Sequence, residues 1–247
     1  MTVSQKKSQD TLSTLLLQVR DSPIVRREEH ESFCDYSGLS QEQVHVLNVF
    51  DTTDFTPDVI DNYDALFIGG ASEASVSDPT SFPFHPSIAL IHHCLERDIP
   101  VFASCFGFQL GVVALGGELK KDTVNFEMGT VPMQLTPAAK DDPLFCDVPD
   151  GFHAISVHQE SAIELPESCE LLARTPLCCH AYRVKGKPFW GFQFHPELDV
   201  PRLTERLGVY KESYTDSEEH FQEIIAGLHG VAESHLLLKK FVERVLR

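Results

Sequence analysis

The feature that most constrains the fold of this chain is an abrupt change in residue type at positions 100–111. Residues 100–104, Pro-Val-Phe-Ala-Ser, have the length and composition of a buried strand. Cys105 follows at once, and residues 106–111, Phe-Gly-Phe-Gln-Leu-Gly, predict a turn that leads directly into a helix. Such a turn lifts its side chain above the sheet and directs the first N–H groups of the helix towards it. We therefore expect the thiol of Cys105 in an environment that favours the nucleophilic thiolate.

A second apolar run ends in two groups that can assist such a nucleophile. Residues 189–194, Phe-Trp-Gly-Phe-Gln-Phe, indicate a strand, and they lead into His195, Pro196 and Glu197. An imidazole that accepts the thiol proton and a carboxylate that orients the imidazole are the usual partners of a catalytic cysteine. The two runs together predict a site built from a nucleophile, a base and an orienting acid.

Strands and helices alternate through the first half of the chain, which predicts a doubly wound, mostly parallel sheet with flanking helices. The predicted elements are strands at 15–19, 44–49, 63–70 and 101–104, with helices at 23–36 and 86–97. From about residue 119 the pattern changes to shorter pieces, which we expect to form antiparallel strands and loops beside the parallel core. These pieces are at 129–135, 153–157 and 171–173, followed by a hairpin of 179–184 and 189–194.

Composition limits the classes of partner. Twenty basic residues against 37 acidic residues give a net charge of −17, which disfavours a nucleic-acid-binding or anionic-membrane surface. The start of the chain has no apolar leader, and no run approaches the ~20 apolar residues of a membrane span, so we expect a cytoplasmic protein. Seven cysteines without a C-x-x-C pair indicate free thiols. The adjacent Cys178 and Cys179 could be a redox or metal feature, but cysteine is often buried as a small hydrophobe, and we expect two buried thiols. The scattered histidines have no convincing metal-ligand spacing. We expect no metal and no organic cofactor.

The C-x-G-x-Q pattern at 105–109 and the His-Pro-Glu pattern at 195–197, taken together, resemble the class I glutamine amidotransferases. The resemblance implies a flavodoxin-like α/β fold and a catalytic triad of Cys105, His195 and Glu197. In that family the strand before a double glycine supplies one oxyanion-hole amide. The resemblance therefore implies that the N–H groups of Gly70 and Phe106 form the oxyanion hole.

Two loops extend the likeness to the amidotransferase half of GMP synthetase. They are residues 71–78, after the double glycine, and residues 156–161, Ser-Val-His-Gln-Glu-Ser. The implied substrate contacts are Gln109, Ser75, Val157 and His158. The sequence departs from many relatives at Phe108, where they have histidine, and this departure bears on acceptor chemistry rather than on the triad.

The resemblance covers roughly residues 15–200 and gives the expected organisation of the chain. We expect a mobile N-terminal tail at 1–12, an amidotransferase-like domain at 13–200, and a helical C-terminal extension at 201–247 packed on the same domain. The extension should contain two or three helices. It resembles free-standing relatives, including plant-type γ-glutamyl peptidases, more than the fused synthetases.

The resemblance implies a hydrolase that cleaves a γ-glutamyl amide through a cysteine thioester. Two substrates stay open, free glutamine and a γ-glutamyl peptide or conjugate. One alternative is a glutaminase subunit that supplies ammonia to a separate synthetase. Another is a non-catalytic or redox-sensing binding module on the same fold, in which Cys105 would react with oxidants.

Overall fold

An eight-stranded sheet forms the centre of the protein in a computed structural model, which describes residues 7–123, 126–210 and 217–247. Two short antiparallel pairs of strands lie outside this sheet. In chain order the strands are β1 (Thr14–Val19), β2 (Val44–Asn48), β3 (Ala65–Ala71), β4 (Val101–Ser104), β5 (Lys120–Lys121), β6 (Glu127–Pro132), β7 (Gln134–Leu135), β8 (His153–His158), β9 (Glu160–Ser161), β10 (Cys169–Arg174), β11 (Cys179–Val184) and β12 (Phe189–Phe192).

The central sheet has the order β2-β1-β3-β4-β12-β11-β10-β7. The first five strands of this order run parallel, and the pairs from β12 to β7 are antiparallel. The mostly parallel sheet predicted from the sequence is therefore confirmed. Strand β12 lies beside β4 although the two are far apart in sequence, and this neighbourhood brings the two predicted catalytic segments to one sheet edge.

Helices cover the sheet. They are α1 (Pro23–Ser37), α2 (Phe84–Glu96), α3 (Phe106–Ala114), α4 (Val200–Val209), α5 (Glu218–Ala226) and α6 (Ala232–Phe241), with 3-10 turns at Gln9–Thr11, Pro57–Ile60 and Pro137–Asp141 and a π-helical turn at Val242–Leu246.

Local sequence explains where two of these helices begin and end. Helix α1 starts with Pro23, whose missing N–H is not needed in a first turn, and ends at Gly38, which takes a left-handed φ of 74°. Helix α4 is capped by Asp199, whose side chain accepts the backbone N–H of Arg202 at 2.8 Å. Helix α4 therefore begins shortly after Glu197, at the edge of the candidate site.

The core lies on both faces of the central sheet. Leu16 belongs to one buried cluster, whereas Leu15 and Leu17 belong to the other, as the alternation of side chains along a strand requires. On the first face the rings of Phe102 and Phe192 stack with centroids 4.4 Å apart. Phe241 of α6 packs edge-on against Phe102 at 5.5 Å, so the last helix is part of the main core.

One predicted strand is divided in the structure. The piece at 129–135 becomes the end of β6 and the separate β7, which pair with β8 and β10 respectively. Pro132, at the end of β6, has no N–H with which to continue a ladder. Met133 is fully buried and its N–H bonds to the carbonyl of Phe152 at 2.8 Å, so the chain changes sheets at this residue.

The structure covers only part of each end of the chain. Of the predicted mobile tail at 1–12, residues 1–6 lie outside the described residues, whereas Gln9 bonds to the carbonyl of Gly38 and Leu12 is buried. The segment 201–247 contains most of α4 and all of α5 and α6, with 211–216 outside the described residues. No helix in the described part of the chain is both long and apolar enough to span a bilayer.

Candidate active site

Cys105 lies between β4 and α3 in an unusual backbone conformation. Its φ of 48° and ψ of −99° are ones that non-glycine residues rarely adopt. Its N–H bonds to the carbonyl of Phe192 at 2.6 Å, and its carbonyl accepts the N–H of Gln109 at 3.1 Å. A Cβ at Gly107 would lie 2.8 Å from the Cβ of Ile68, so only glycine lets the helix start this close to β3. The predicted sharp turn is present, and Cys105 is 6% exposed.

His195 and Glu197 follow β12, the parallel neighbour of β4. Ser104 and Phe192 are in register, so both chains leave the sheet at the same level. The N–H of His195 bonds to the carbonyl of Ile155 at 2.8 Å. Its Nδ1 lies 2.7 Å from Oε1 of Glu197, and both side chains are buried. Because Nδ1–H donates a hydrogen bond to the carboxylate, Nε2 is the ring nitrogen that can interact with the thiol.

Charge around His195 favours its protonated form. Burial alone would lower the pKa of this imidazole, but attraction to Glu197 and to the Cys105 sulfur, with hydrogen bonds to both, raises its pKa to about 9. Burial would likewise raise the pKa of Glu197, but the charges of His195 and Arg206 hold it below its usual range. The arrangement therefore favours a protonated imidazole beside the Glu197 carboxylate.

The thiol has two further partners. Cys105 Sγ lies 3.8 Å from the carbonyl oxygen of Val157 and 3.9 Å from Nε2 of Gln193. Gln193 also accepts a hydrogen bond from Nε2 of Gln109 at 3.4 Å. Sequence reasoning missed Gln193, although a polar residue inside the apolar run at 189–194 was a visible signal.

The backbone of Gly70 lies close to the imidazole of His195. A Cβ at this position would be 2.9 Å from Cε1 of His195 and 2.7 Å from Nη2 of Arg20. Phe106 is the first residue of α3, where backbone N–H groups lack helical acceptors. These are the two residues whose amides the sequence predicts to form an oxyanion hole.

A pocket of about 290 Å³ opens above the thiol, and it brings together all four predicted substrate-contact residues. Its lining includes Cys105, Phe106, Gln109, Ser75, Val157 and His158. Gln109 donates its Nε2 to the carbonyl of Glu160 at 2.8 Å, and Ser75 donates its hydroxyl to the carboxylate of Glu160 at 2.5 Å. Both residues therefore hold the loop at 157–160 as well as facing the pocket. His158 faces the pocket too, but its Nε2 is 3.3 Å from Glu127 on the far side.

Two buried arginines that the sequence did not single out lie beside the thiol. Arg20 and Arg206 line a small cavity of about 20 Å³ together with Cys105 and His195. Arg20 is paired with Glu29 at 2.9 Å, and Arg206 with Glu28 at 2.7 Å. Arg206 reaches this place because α4 packs against α1, which no local sequence pattern reveals.

One group of described residues, which shares His158 with the wall of the pocket above the thiol, could hold a metal ion. It consists of Glu127, His158, Cys178 and His180, whose potential ligand atoms all lie within 4.8 Å of one another. His158 is the link between this group and the pocket, because it belongs to both.

A family model agrees with the resemblance seen in the sequence. The model described as "Glutamine amidotransferase class-I" matches residues 31–205, which is well over half of the chain.

Curated proteins with related sequences fall into two groups by name. The chain is 29% identical over 174 residues to a glutamine-hydrolyzing GMP synthase of Thermotoga sp. strain RQ2, covering 70% of this chain and 32% of that protein. It is 31% identical to a glutamine-hydrolyzing GMP synthase subunit of Methanocaldococcus jannaschii, covering 46% of this chain and 61% of the relative. It is 33% identical to γ-glutamyl-L-1-hydroxyisopropylamide hydrolase of Pseudomonas sp, covering 55% of this chain and 48% of the relative. The chain thus spans about a third of the full-length GMP synthase.

Solved structures share the fold at low sequence identity. A glutamine amidotransferase of Thermotoga maritima superposes with a TM-score of 0.77 at 16% identity, covering 96% of this chain and 98% of that one. A glutamine amidotransferase of Methylobacillus flagellatus gives a TM-score of 0.70 at 20% identity, covering 96% and 95%. At these identities the likeness is one of fold.

Proposed function

Because the chain belongs to the class I glutamine amidotransferase family, we propose that it hydrolyses a γ-glutamyl amide through a thioester on Cys105. The observation that carries the proposal is the 2.7 Å contact between His195 and Glu197, beside a thiol held at positive φ under an open pocket. Each group has the chemistry that its proposed role requires.

In the acylation half of the reaction, His195 takes the proton of Cys105, and the thiolate attacks the γ-carbonyl carbon of the substrate. Glu197 holds the imidazole in the tautomer that leaves Nε2 facing the thiol, and it stabilises the positive ring. The tetrahedral intermediate collapses with cleavage of the C–N bond. His195 returns the proton to the departing ammonia or amine, which leaves the γ-glutamyl group on sulfur.

The deacylation half replaces the amine with water. His195 accepts a proton from water as the oxygen attacks the thioester carbonyl, and it then protonates the departing sulfur of Cys105. Glutamate is released and the enzyme returns to its starting state. The balance of this reaction requires no oxidant or reductant.

The oxyanion of both intermediates would be held by the backbone N–H groups of Gly70 and Phe106. Loss of one oxyanion-hole donor typically costs ~3–4 kcal/mol of transition-state stabilisation. Gln109, Ser75, Val157 and His158 would contact the substrate from the pocket wall. Glu160 and Lys121 also line this wall, and they offer opposite charges to the amino and carboxyl groups of a γ-glutamyl substrate.

The leaving group defines two versions of the proposal. Similarity to the Pseudomonas γ-glutamyl hydrolase supports a hydrolase that acts alone on a conjugate. Similarity to the Methanocaldococcus GMP synthase subunit supports a glutaminase that passes ammonia to a separate synthetase chain. The imidazole and carboxylate beside the thiol favour either version over a redox-sensing module, because oxidation of a thiol does not need a general base with an orienting acid.

Glutamate release by the purified chain tests the proposal. The substrates would be glutamine, a γ-glutamyl dipeptide and glutathione, with Cys105→Ala as the inactive variant. Cys146→Ala is the matched control, because Cys146 is exposed and outside the pocket lining. Efficient dipeptide cleavage would identify a stand-alone hydrolase, and slow turnover of glutamine alone would identify a subunit that needs a partner. Activity that survives in Cys105→Ala would refute the thioester mechanism.

A further inference from the structure

Four side chains with metal-binding atoms converge behind the wall of the substrate pocket. Glu127, His158, Cys178 and His180 are all buried, and one potential ligand atom from each lies within 4.8 Å of the other three. They are two imidazoles, a thiol and a carboxylate. The proposed hydrolysis uses none of these groups except His158, and only as part of the pocket wall.

The distances between these atoms are close to those of a tetrahedral site. Zinc bond lengths of ~2.0–2.3 Å place two ligand atoms about 3.4 Å apart for nitrogen and oxygen, and about 3.6 Å apart when one is sulfur. Oε2 of Glu127 lies 3.3 Å from Nε2 of His158 and 3.7 Å from Sγ of Cys178. Sγ of Cys178 lies 3.4 Å from Nε2 of His180. Nε2 of His180 is 2.6 Å from Oε2 of Glu127, which is a hydrogen-bond distance. The distance between these two atoms would have to increase if both bound one ion.

The backbone explains why these residues meet. Glu127 opens β6 and is the register partner of His158, which ends β8. Cys178 immediately precedes β11 and His180 is the second residue of that strand, and side chains two apart in extended chain share a face. Cys179, between them, turns away and donates its thiol to the carbonyl of Ile163 at 3.3 Å. The β6–β8 pair thus contributes two ligands, and the segment that enters β11 contributes the other two.

We propose that Glu127, His158, Cys178 and His180 bind one zinc-like divalent cation. A thiolate with two imidazoles selects borderline-soft ions such as Zn²⁺ over Mg²⁺ or Ca²⁺, which prefer oxygen ligands. The carboxylate completes a four-ligand set with two negative charges. Binding requires that Cys178 lose its proton to solvent and that the imidazoles be neutral at their ligating nitrogens.

A cavity gives an ion access to the group. Glu127, His158 and Cys178 line a space of about 260 Å³, which also contains Asp122 and Ser161 in its wall. This cavity is distinct from the substrate pocket, and His158 lies in the lining of both. An ion could therefore enter without passing the thiol of Cys105.

The site would be structural rather than catalytic. It joins the β6–β8 pair to β11 of the central sheet, and it would hold His158 next to Val157, whose carbonyl contacts Cys105. Nδ1 of His180 has no hydrogen-bond partner among the described residues, so the outer hydrogen bond that usually orients a ligating imidazole is missing there. The ring of His180 instead lies nearly parallel to that of Phe194, with ring centroids 6.4 Å apart.

Cobalt and zinc binding by tag-free protein tests the site. The experiment uses the Cys105→Ala variant, so that the candidate nucleophile contributes no thiolate and the result is independent of hydrolysis. We expect about one Zn²⁺ per chain after dialysis against zinc. We also expect Co²⁺ to give tetrahedral ligand-field bands and a thiolate-to-cobalt charge-transfer band. A chain that binds neither ion, or that binds Co²⁺ without the charge-transfer band, would overturn the proposal.

Single substitutions assign the ligands. Cys178→Ser should abolish the charge-transfer band, whereas Cys179→Ser, its buried neighbour, should keep it. A band that persists in Cys178→Ser would place the ion at another thiol and overturn the assignment. If Cys178→Ser fails to fold by circular dichroism, His180→Gln and Glu127→Gln replace it. Each should weaken Co²⁺ binding at least tenfold, and unchanged affinity in both would show that the group is only a hydrogen-bonded Glu–His network.

Discussion

Gly70 leaves no room for a side chain beside His195: a Cβ at this glycine would lie 2.9 Å from Cε1 of the imidazole. A methyl group there would have to displace a ring that Glu197 holds at 2.7 Å. The proposed oxyanion donor and the proposed base are therefore close neighbours, with no space for a side chain between them.

Gly70→Ala should therefore reduce kcat by about 10²-fold or more, because misplacement of a base by about 1 Å is that costly. The added methyl group would also lie 2.7 Å from Nη2 of Arg20, so stability is measured beside activity. Gly208→Ala is the matched control, because a Cβ on this helical glycine meets nothing within 4 Å. The measurements are steady-state kinetics and thermal unfolding of both variants. Equal activity in Gly70→Ala and the wild type would mean that His195 is not held as described.

Glu197→Gln should change the pH dependence of the reaction as well as its rate. The carboxylate helps to raise the pKa of His195 to about 9, so the imidazolium form should persist to about that pH in the wild type. Without the negative charge this pKa falls, and the alkaline limb of kcat/KM moves to lower pH. We expect a loss of about 10²- to 10⁴-fold at neutral pH, since an amide also favours the wrong tautomer. Glu164→Gln, at an exposed position, is the control.

The same pKa shift has a consequence for stability. An unfolded histidine has a pKa of about 6.5, so the raised pKa of about 9 in the folded state means that the protein binds more protons when folded. The stabilisation of the folded state by this raised pKa is complete below pH ~6.5, and it is lost as pH rises through about 9. The difference in free energy of unfolding between wild type and Glu197→Gln should shrink across this interval. Urea titrations at several pH values measure it, and a constant difference would contradict the assignment.

Gln193 should act as a positioning residue for the thiolate. Its amide nitrogen lies 3.9 Å from Cys105 Sγ, and a hydrogen bond to a charged group contributes ~1.5–3 kcal/mol. Gln193→Met should slow iodoacetamide alkylation of Cys105 and lower kcat/KM by about tenfold. Gln193→Glu should lower both further, because a carboxylate repels a thiolate. If the two variants behave alike, Gln193 serves packing alone.

Arg20 and Glu29 should depend on each other for stability. The pair is almost fully buried, with side chains 2% and 0% exposed, and its atoms are 2.9 Å apart. Arg20→Met leaves a buried carboxylate without its cation and should cost ~3–5 kcal/mol in the free energy of unfolding. The double variant Arg20→Met/Glu29→Leu should recover most of that loss. Denaturant unfolding of the wild type, both single variants and the double variant forms a double-mutant cycle, and additive losses would indicate no coupling.

Much of the fold was predictable because its strands are short, apolar and separated by helices with clear periodicity. The strand at 101–104 and the helix after it follow directly from the change of residue type at Cys105. The division of 129–135 was not predictable, because partner strands, and not local propensity, decide where β6 ends and β7 begins.

The residues of the candidate site also fall into those that the sequence predicts and those that it does not. Cys105, His195 and Glu197 were visible because each follows an apolar run that ends at a sheet edge. The group around His180 was not, because the pairing of Glu127 with His158 is a matter of strand register and these residues are 31 apart. Only Cys178 and His180, two apart in sequence, carried a local signal. Arg206 reaches the site through the packing of α4 against α1, which is a tertiary effect.

The pairing of β4 with β12 gives the proposed reaction a second use, as a reporter of folding. Ser104 and Phe192 are register partners separated by 88 positions (192 − 104), so the nucleophile and the base meet only when a large loop has closed. Closure of such long-range contacts is slow compared with helix formation. Recovery of catalysis during refolding should then lag behind the return of helical circular dichroism, and the interval between the two would time the arrival of β12 in the sheet.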